Sequence, residues 1–248
     1  MTMPSTPQRR ARATTSRNPA APPRSFAPYG FGRLRSPVAL GRAAAGVLGL
    51  TIAVDLYAIW ADLTMRTVVG AAADGASGYE VWHRIEVAEP FYVAAGHAHR
   101  AALITAVVVY LNWFLRVRDN SVVFSPFGQS KSRAWARWGW FVPVVNLWLP
   151  RRIMQDVWDA SRPEGARSGY GLLNAWWALS VIDASAGQAA STPSLESNTF
   201  AEVRDGAGRL ALTHALDSVA AVLAIVVVLK LTRMQDRKAQ AGPGVFGG

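Results

Sequence analysis

The sequence predicts an all-α integral membrane protein: a four-helix transmembrane bundle with a Trp-rich re-entrant or interfacial segment on the cytoplasmic side. Charged residues make up 17% of the 248 residues, below the quarter or so that is typical of soluble domains. The apolar residues are clustered in blocks that are nearly free of charge, as membrane spans require. The Lys and Arg residues behind the net charge of +10 flank these blocks, which is where they mark the cytoplasmic side.

The first predicted span covers residues 38–61. Ala43–Val54 carries no charge, and Asp55 is the only acid before Asp62. A run of this length and composition suits a membrane-crossing helix. The span therefore carries one acid inside the apolar layer.

The second predicted span covers residues 95–115. Its charge-free part, 101–115, reaches only about 22 Å as a helix, short of the roughly 30 Å of bilayer hydrocarbon. The helix should therefore extend back through Arg100 and His99 towards Pro90, a residue type that suits a first helical turn. This extension draws Arg100 into the outer edge of the bilayer.

The third and fourth predicted spans cover residues 168–190 and 210–231. Asp183 is the only charge of the third span, whose second half is mostly Ala, Ser and Gly. The fourth span contains the strongest apolar run, 219–229, and ends at basic residues that begin with Lys230. Both have the length needed to cross a bilayer.

A Trp-rich interfacial segment is predicted at residues 138–160. Its apolar block, 138–149, is too short to span and is interrupted by Pro143 and Asn146. Basic residues on both flanks favour a re-entrant or interfacial path on the cytoplasmic face over a crossing. The following helix places four apolar side chains on one face: Ile153, Met154, Val157 and Trp158.

The charge distribution predicts a multi-pass protein of the plasma membrane with both termini in the cytoplasm. Four spans place every basic segment on the cytoplasmic side, while the loops 62–100 and 184–209 hold eight acids. The basic residues 1–37 are too polar to fold alone and are predicted to be a disordered cytoplasmic tail. The membrane domain is placed at 38–235, followed by a C-terminal tail, 236–248.

One tract of the sequence resembles a known family. Gly139–Pro150 reads GWFVPVVNLWLP, and it is followed by Asp156–Trp158 and by Asn174–Trp177. Together with Trp113–Arg118 (WFLRVR) upstream, this pattern resembles the actinobacterial multi-span membrane family catalogued as DUF4328, a domain of unknown function. The resemblance covers about residues 90–235. It implies a small multi-span membrane protein and supplies no activity or catalytic residue.

Five ionisable residues are predicted to form a polar cluster in the outer third of the membrane: Asp55, Arg100, Asp183, His214 and Asp217. Such groups are costly in hydrocarbon unless they are paired or hydrated, so they mark functional candidates. The hypothesis places Arg100 opposite one or more of the three aspartates. A structural ion pair and a proton or ion pathway are both compatible with this cluster.

The tryptophans suggest a second candidate site, because eight of the ten lie between Trp113 and Trp177. A groove for a lipid, quinone or peptide is one interpretation, and an aromatic belt that anchors the segment at the interface is the other. The residues assigned to the groove are Trp138, Trp140, Pro143, Asn146, Trp148 and Trp158.

Enzymatic and metal-binding motifs are not found in the sequence. There is no cysteine, no phosphate-binding glycine loop and no nucleophile elbow, and the four His residues are scattered. We therefore expect no catalytic residues, no metal, no cofactor and no nucleic-acid partner. The expected function is a non-enzymatic module that binds membrane lipids or an unknown protein partner. The alternative is a small transporter or ion-coupled protein that uses the polar cluster.

Overall fold

The computed structural model describes residues 34–163, 165, 169–195 and 199–241, with the backbone alone for 190–195. These residues form six α-helices, and no β-strand occurs among them. A 3-10 turn, Val145–Leu147, lies between the third and fourth helices. The helices are α1 (Val38–Ala73), α2 (Tyr79–Phe124), α3 (Arg133–Trp138), α4 (Leu149–Ser161), α5 (Gly171–Leu195) and α6 (Phe200–Gln240).

Three of these helices, α1, α2 and α6, are long and apolar enough to cross a membrane. Their outward-facing side chains are apolar where a soluble bundle would carry charge, as Leu56, Ile104 and Val219 show. The protein is therefore an all-α integral membrane protein. The helix α5 spans 25 residues but is not one of the three, so the count of four spans stays a prediction.

The helices extend well beyond the predicted spans. The 46 residues of α2 correspond to about 69 Å of helix, more than twice the hydrocarbon thickness. Pro90 was expected in the first turn of this helix, but it lies in the interior because α2 already begins at Tyr79. A proline inside a helix removes one backbone hydrogen bond, and packing against α1 compensates for the stability lost with it. Ala88 and Tyr92 of α2 pack there in one cluster with Met65 and Val69 of α1.

The predicted tails lie partly outside the described residues. Residues 1–33 and 242–248 are not described, so the interpretation of 1–37 as a disordered tail falls almost entirely outside them. At the other end, α6 continues to Gln240 and takes in part of the predicted tail 236–248. Its last turn carries Arg237 and Lys238, which suit the negative end of the helix dipole.

The arrangement of the bundle follows from its small residues. The most extensive helix packing joins α1 to α6, while α2 packs mainly on α1 and α5 mainly on α6. Small side chains let helices in a membrane approach closely, and several are buried here: Ala44, Ala58, Ala220, Ala221 and Ala224. Because α2 packs on α1 and α5 packs on α6, a space remains between α2 and α5, and residues of all four helices line it.

The amphipathic helix α4 docks on the bundle. Its predicted apolar face is present, and Ile153, Met154 and Val157 on it are 0–1% exposed. This face packs into a core shared with Trp113 of α2 and Leu231 of α6. The face is therefore covered by protein and not by the membrane surface that the sequence suggested.

The segment before α4 contains a strained turn centred on Val144. This residue has φ 67° and ψ −51°, and Val145 N donates a hydrogen bond to Pro143 O at 2.7 Å. The geometry is that of a γ-turn with positive φ, which is rare and strained for a β-branched residue. The turn directs the chain from Phe141, which is exposed, back to the docked helix α4.

Candidate functional site

Six ionisable residues from four helices form what we call the His–Asp cluster. Asp55 and Asp62 lie two turns apart on α1, His99 lies on α2, and Asp183 lies on α5. His214 and Asp217 lie one turn apart on α6. The six residues are Asp55, Asp62, His99, Asp183, His214 and Asp217.

The first pair of the cluster joins α1 to α2. The side chain of Asp55 is 0% exposed, and its Oδ1 lies 2.8 Å from Nδ1 of His99. Its other oxygen, Oδ2, accepts a hydrogen bond of 3.5 Å from the hydroxyl of Ser218 on α6. Asp55 therefore holds three helices together through a single buried carboxylate.

The second pair joins α1 to α6. Oδ2 of Asp62 lies 2.9 Å from Nδ1 of His214, and both side chains are buried. The rings of His214 and His99 are close, with centroids 4.5 Å apart. The two carboxylate–histidine pairs are therefore neighbours, and each histidine is oriented by a carboxylate of α1.

The remaining two aspartates, Asp183 and Asp217, each have one buried carboxylate oxygen without a hydrogen-bond partner among the described residues. Oδ2 of Asp217 lies 4.0 Å from Nδ1 of His99. Among the described residues, neither this oxygen nor Oδ1 of Asp183 has a hydrogen-bond partner. Asp183 also lies within electrostatic range of Asp55 and His214. Buried oxygens without partners are costly, so this part of the cluster is suited to bind a further group.

Arg100 lies outside the cluster that the sequence assigned to it. Its side chain is exposed, and its Nη2 donates toward Nδ1 of His97 at 3.2 Å. Among the ion pairs of the described residues, none joins Arg100 to an aspartate. Its neighbour His99 faces the carboxylates instead, because successive helical residues point about 100° apart.

A cavity of about 300 Å³ lies beside the cluster. Its walls come from α2 on one side and α5 on the other, with α1 and α6 behind and the segment before α4 at one end. Its lining includes Tyr110, Trp140, Trp176, Trp177, Asp217 and Ala221. Asp217 belongs both to this cavity and to the His–Asp cluster, so the two features meet at its carboxylate.

The end of the cavity nearest α4 is aromatic, and two of the residues that line it carry donors without partners among the described residues. Trp140 makes edge contacts with Tyr110 and Trp177, at centroid distances of 5.6 and 5.9 Å. Within the described part of the chain, the hydroxyl of Tyr110 and Nε1 of Trp140 are buried and have no hydrogen-bond partner. Buried Tyr and Trp normally find an acceptor, and a ligand with an acceptor oxygen would supply one.

The structure does not bring the six predicted groove residues into one surface. Trp140 lines the cavity, and Trp158 is only 2% exposed in the core beneath α4. Trp138 and Trp148 are 59% and 53% exposed, respectively. Of the other two predicted residues, Pro143 is exposed and Asn146 is half-buried.

Sequence reasoning missed His99, Asp62 and Tyr110 as site residues. The spacing of Asp55 and Asp62, seven residues apart, was a usable signal, because it places both carboxylates on one face of a helix. His99 sits in the part of α2 that had to be helical for the span to be long enough. Tyr110 offered no signal, since its role depends on the gap between α2 and α5.

A protein-family model described as "Domain of unknown function (DUF4328)" matches residues 82–233. The matched residues include most of α2 and α6 and all of α3, α4 and α5, whereas α1 precedes them. His99, Asp183, His214 and Asp217 therefore fall within the match, and Asp55 and Asp62 do not. No curated protein and no solved structure matches the chain.

Proposed function

We propose that this chain, which belongs to the DUF4328 family, is a non-enzymatic membrane module that binds a lipid in the cavity between α2 and α5. The ligand is a membrane lipid with a carbonyl or other acceptor oxygen at the aromatic end and an apolar chain along the cavity. Family membership leaves the ligand open, so the proposal rests on the site.

One observation carries the proposal: two residues that line a mostly apolar cavity each carry a buried hydrogen-bond donor with no partner among the described residues. Tyr110 and Trp140 supply these donors. Ligand sites are typically apolar cavities of about 300–1,000 Å³ with a few polar groups that fix orientation. An ester carbonyl of a lipid would accept from either donor, and its chain would contact the alanines of α6 that line the cavity wall.

The transport alternative is less well supported by the same geometry. It requires the aspartates to converge on a water-filled cavity. Asp217 does border the cavity, but most of the other side chains that line it are aliphatic or aromatic. An ion-coupled function therefore stays a prediction from the sequence, and the apolar lining favours a lipid.

Filling the cavity should remove the lipid. In Ala221→Leu the larger side chain occupies part of the cavity that Ala221 lines, so we expect lipid that co-purifies with the wild type to be lost. Native mass spectrometry of protein released from nanodiscs measures the retained lipid. Tyr110→Phe removes one donor, and we expect it to weaken retention by about 3- to 10-fold, the value of one hydrogen bond.

The matched control is Ala53→Leu, since Ala53 is exposed on α1 and does not line the cavity. This variant should retain lipid like the wild type. Lipid binding in the cavity is refuted if Ala221→Leu retains the same lipid at the same occupancy as Ala53→Leu.

We further propose that the protein lies in the plasma membrane with four spans, both termini and α4 facing the cytoplasm. The support is the excess of Lys and Arg around α3 and α4 and at the end of α6. A reporter fused after Arg162 should be active in its cytoplasmic form, and so should one fused after Gln240. A reporter inserted between Ala73 and Tyr79 should report the opposite side. A periplasmic result after Arg162 would rule out this orientation.

A further inference from the structure

The charges of the His–Asp cluster do not balance. Four carboxylates face at most two positive imidazoles, and within the described residues no Lys or Arg forms an ion pair with them. An excess of negative charge in a buried site is costly unless protons or a cation neutralise it. The positions of the ligand atoms favour a cation.

Three donors from three helices converge on one point. One ligand atom each from Asp55, His99 and Asp217 lies within 4.8 Å of the others. Nδ1 of His99 lies 2.8 Å from Oδ1 of Asp55 and 4.0 Å from Oδ2 of Asp217. A cation at this point would bind all three groups, whereas a single proton satisfies only the shorter contact and leaves Asp217 Oδ2 unpaired.

We propose that Asp55, His99 and Asp217 bind a divalent transition-metal ion of the Zn²⁺ class. One imidazole nitrogen and two carboxylate oxygens form a ligand set that Zn²⁺ accepts, and three protein ligands leave a position for a further group. Asp183 is a further carboxylate within electrostatic range of Asp217, and its Oδ1 is buried with no hydrogen-bond partner among the described residues. The site goes beyond lipid binding and is carried by different residues except for Asp217.

The second pair supports the metal site from outside. His214 lies against the ring of His99 and is itself oriented by Asp62. Groups around a metal site fix the ligands and neutralise or add charge, and they strongly affect affinity. We therefore assign Asp62 and His214 a positioning role.

The test measures zinc on purified protein that carries an affinity tag without histidine. The full chain is stripped with a chelator, incubated with Zn²⁺, freed of unbound metal and analysed by plasma mass spectrometry. We expect about one Zn²⁺ per chain, because the three ligand residues form a single site. Co²⁺ in place of Zn²⁺ should give visible d–d absorption bands that depend on the same ligands.

The matched variants are His99→Gln and His97→Gln, because His97 lies two residues away and is exposed. We expect His99→Gln to lower the Zn²⁺ affinity by about 100-fold or more, since it removes a ligand, and His97→Gln to bind like the wild type. Asp217→Asn is the second ligand variant. Its Oδ2 makes no hydrogen bond among the described residues, so this change should disturb folding less than the loss of His99.

The outcomes separate the metal site from the lipid site. Zinc retained by Ala221→Leu, together with lipid retained by His99→Gln, would show that the two sites act independently. The metal site is overturned if the wild type retains no Zn²⁺ and shows no Co²⁺ bands, which would make the cluster a protonated hydrogen-bond network. It is equally overturned if Asp217→Asn binds Zn²⁺ like the wild type.

Discussion

Gln235→Ala is expected to destabilise the protein by about 3 kcal/mol, through lost hydrogen bonds and a cavity in a packed region. Gln235 is 1% exposed on α6. Its Nε2 donates to Val117 O at 2.8 Å and to Ser161 Oγ at 3.0 Å, and its Oε1 accepts from Asn120 at 3.0 Å. One side chain thus links α6 to α2 and α4. Denaturation by SDS in mixed micelles measures the loss.

The control for this prediction is Gln240→Ala, which changes the same residue type at an exposed position whose side chain donates a hydrogen bond to Asp236. It should change stability by less than about 0.5 kcal/mol, as exposed substitutions usually do. Gln235→Met keeps the side-chain volume and removes the polar groups. It should therefore lower stability less than Gln235→Ala, and its loss measures the hydrogen bonds without the packing defect. Equal effects of Gln235→Ala and Gln240→Ala would refute a stabilising network.

Gly41→Ala is expected to destabilise the protein by about 1–3 kcal/mol, the usual cost of overpacking. A Cβ at Gly41 of α1 would overlap Oγ1 of Thr232 on α6. That same hydroxyl accepts a 2.9 Å hydrogen bond from Nε1 of Trp113, so it cannot move away without leaving a buried donor unpaired. Thermal unfolding in detergent, followed by loss of the monodisperse peak, measures the effect.

Two glycines on the same helix provide the control. A Cβ at Gly46 or Gly49 would meet nothing within 4 Å, so alanine there should be neutral or stabilise by up to about 1 kcal/mol through helix propensity. Combining Gly41→Ala with Thr232→Ala should cost less than the sum of the two changes, because they share one contact. Strict additivity would argue against close packing of α1 on α6 at this point.

Much of the architecture could be predicted because the thickness of the bilayer sets the length of the apolar runs in the sequence. The charge-free runs at 43–54 and 219–229 had to lie in long apolar helices, and they do. The apolar face of α4 followed from helical periodicity, although the sequence gives no sign that protein covers it. The strained turn at Val144 was not predictable, since nothing local favours positive φ at valine.

The candidate site was predictable only in part. Asp55, Asp183, His214 and Asp217 could be identified because each is an ionisable residue within an apolar span. Their depth in the membrane follows from the sequence without knowledge of side-chain direction. Choosing His99 over Arg100 would have required the rotation of α2 about its axis, which is fixed by packing on α1. The cavity depends on the separation of two helices far apart in the sequence, and no local pattern encodes such a distance.

The position of α1 bears on how this chain should be truncated for expression. This helix supplies Asp55 and Asp62 and packs most extensively on α6, yet it precedes the matched residues 82–233. A fragment limited to residues 82–233 would lack the two carboxylates that pair with His99 and His214. It would also expose the alanines of α6 that pack against α1. The shortest fragment that keeps these pairs intact therefore starts upstream of Val38, because the carboxylate partners of His99 and His214 lie on α1, outside the match.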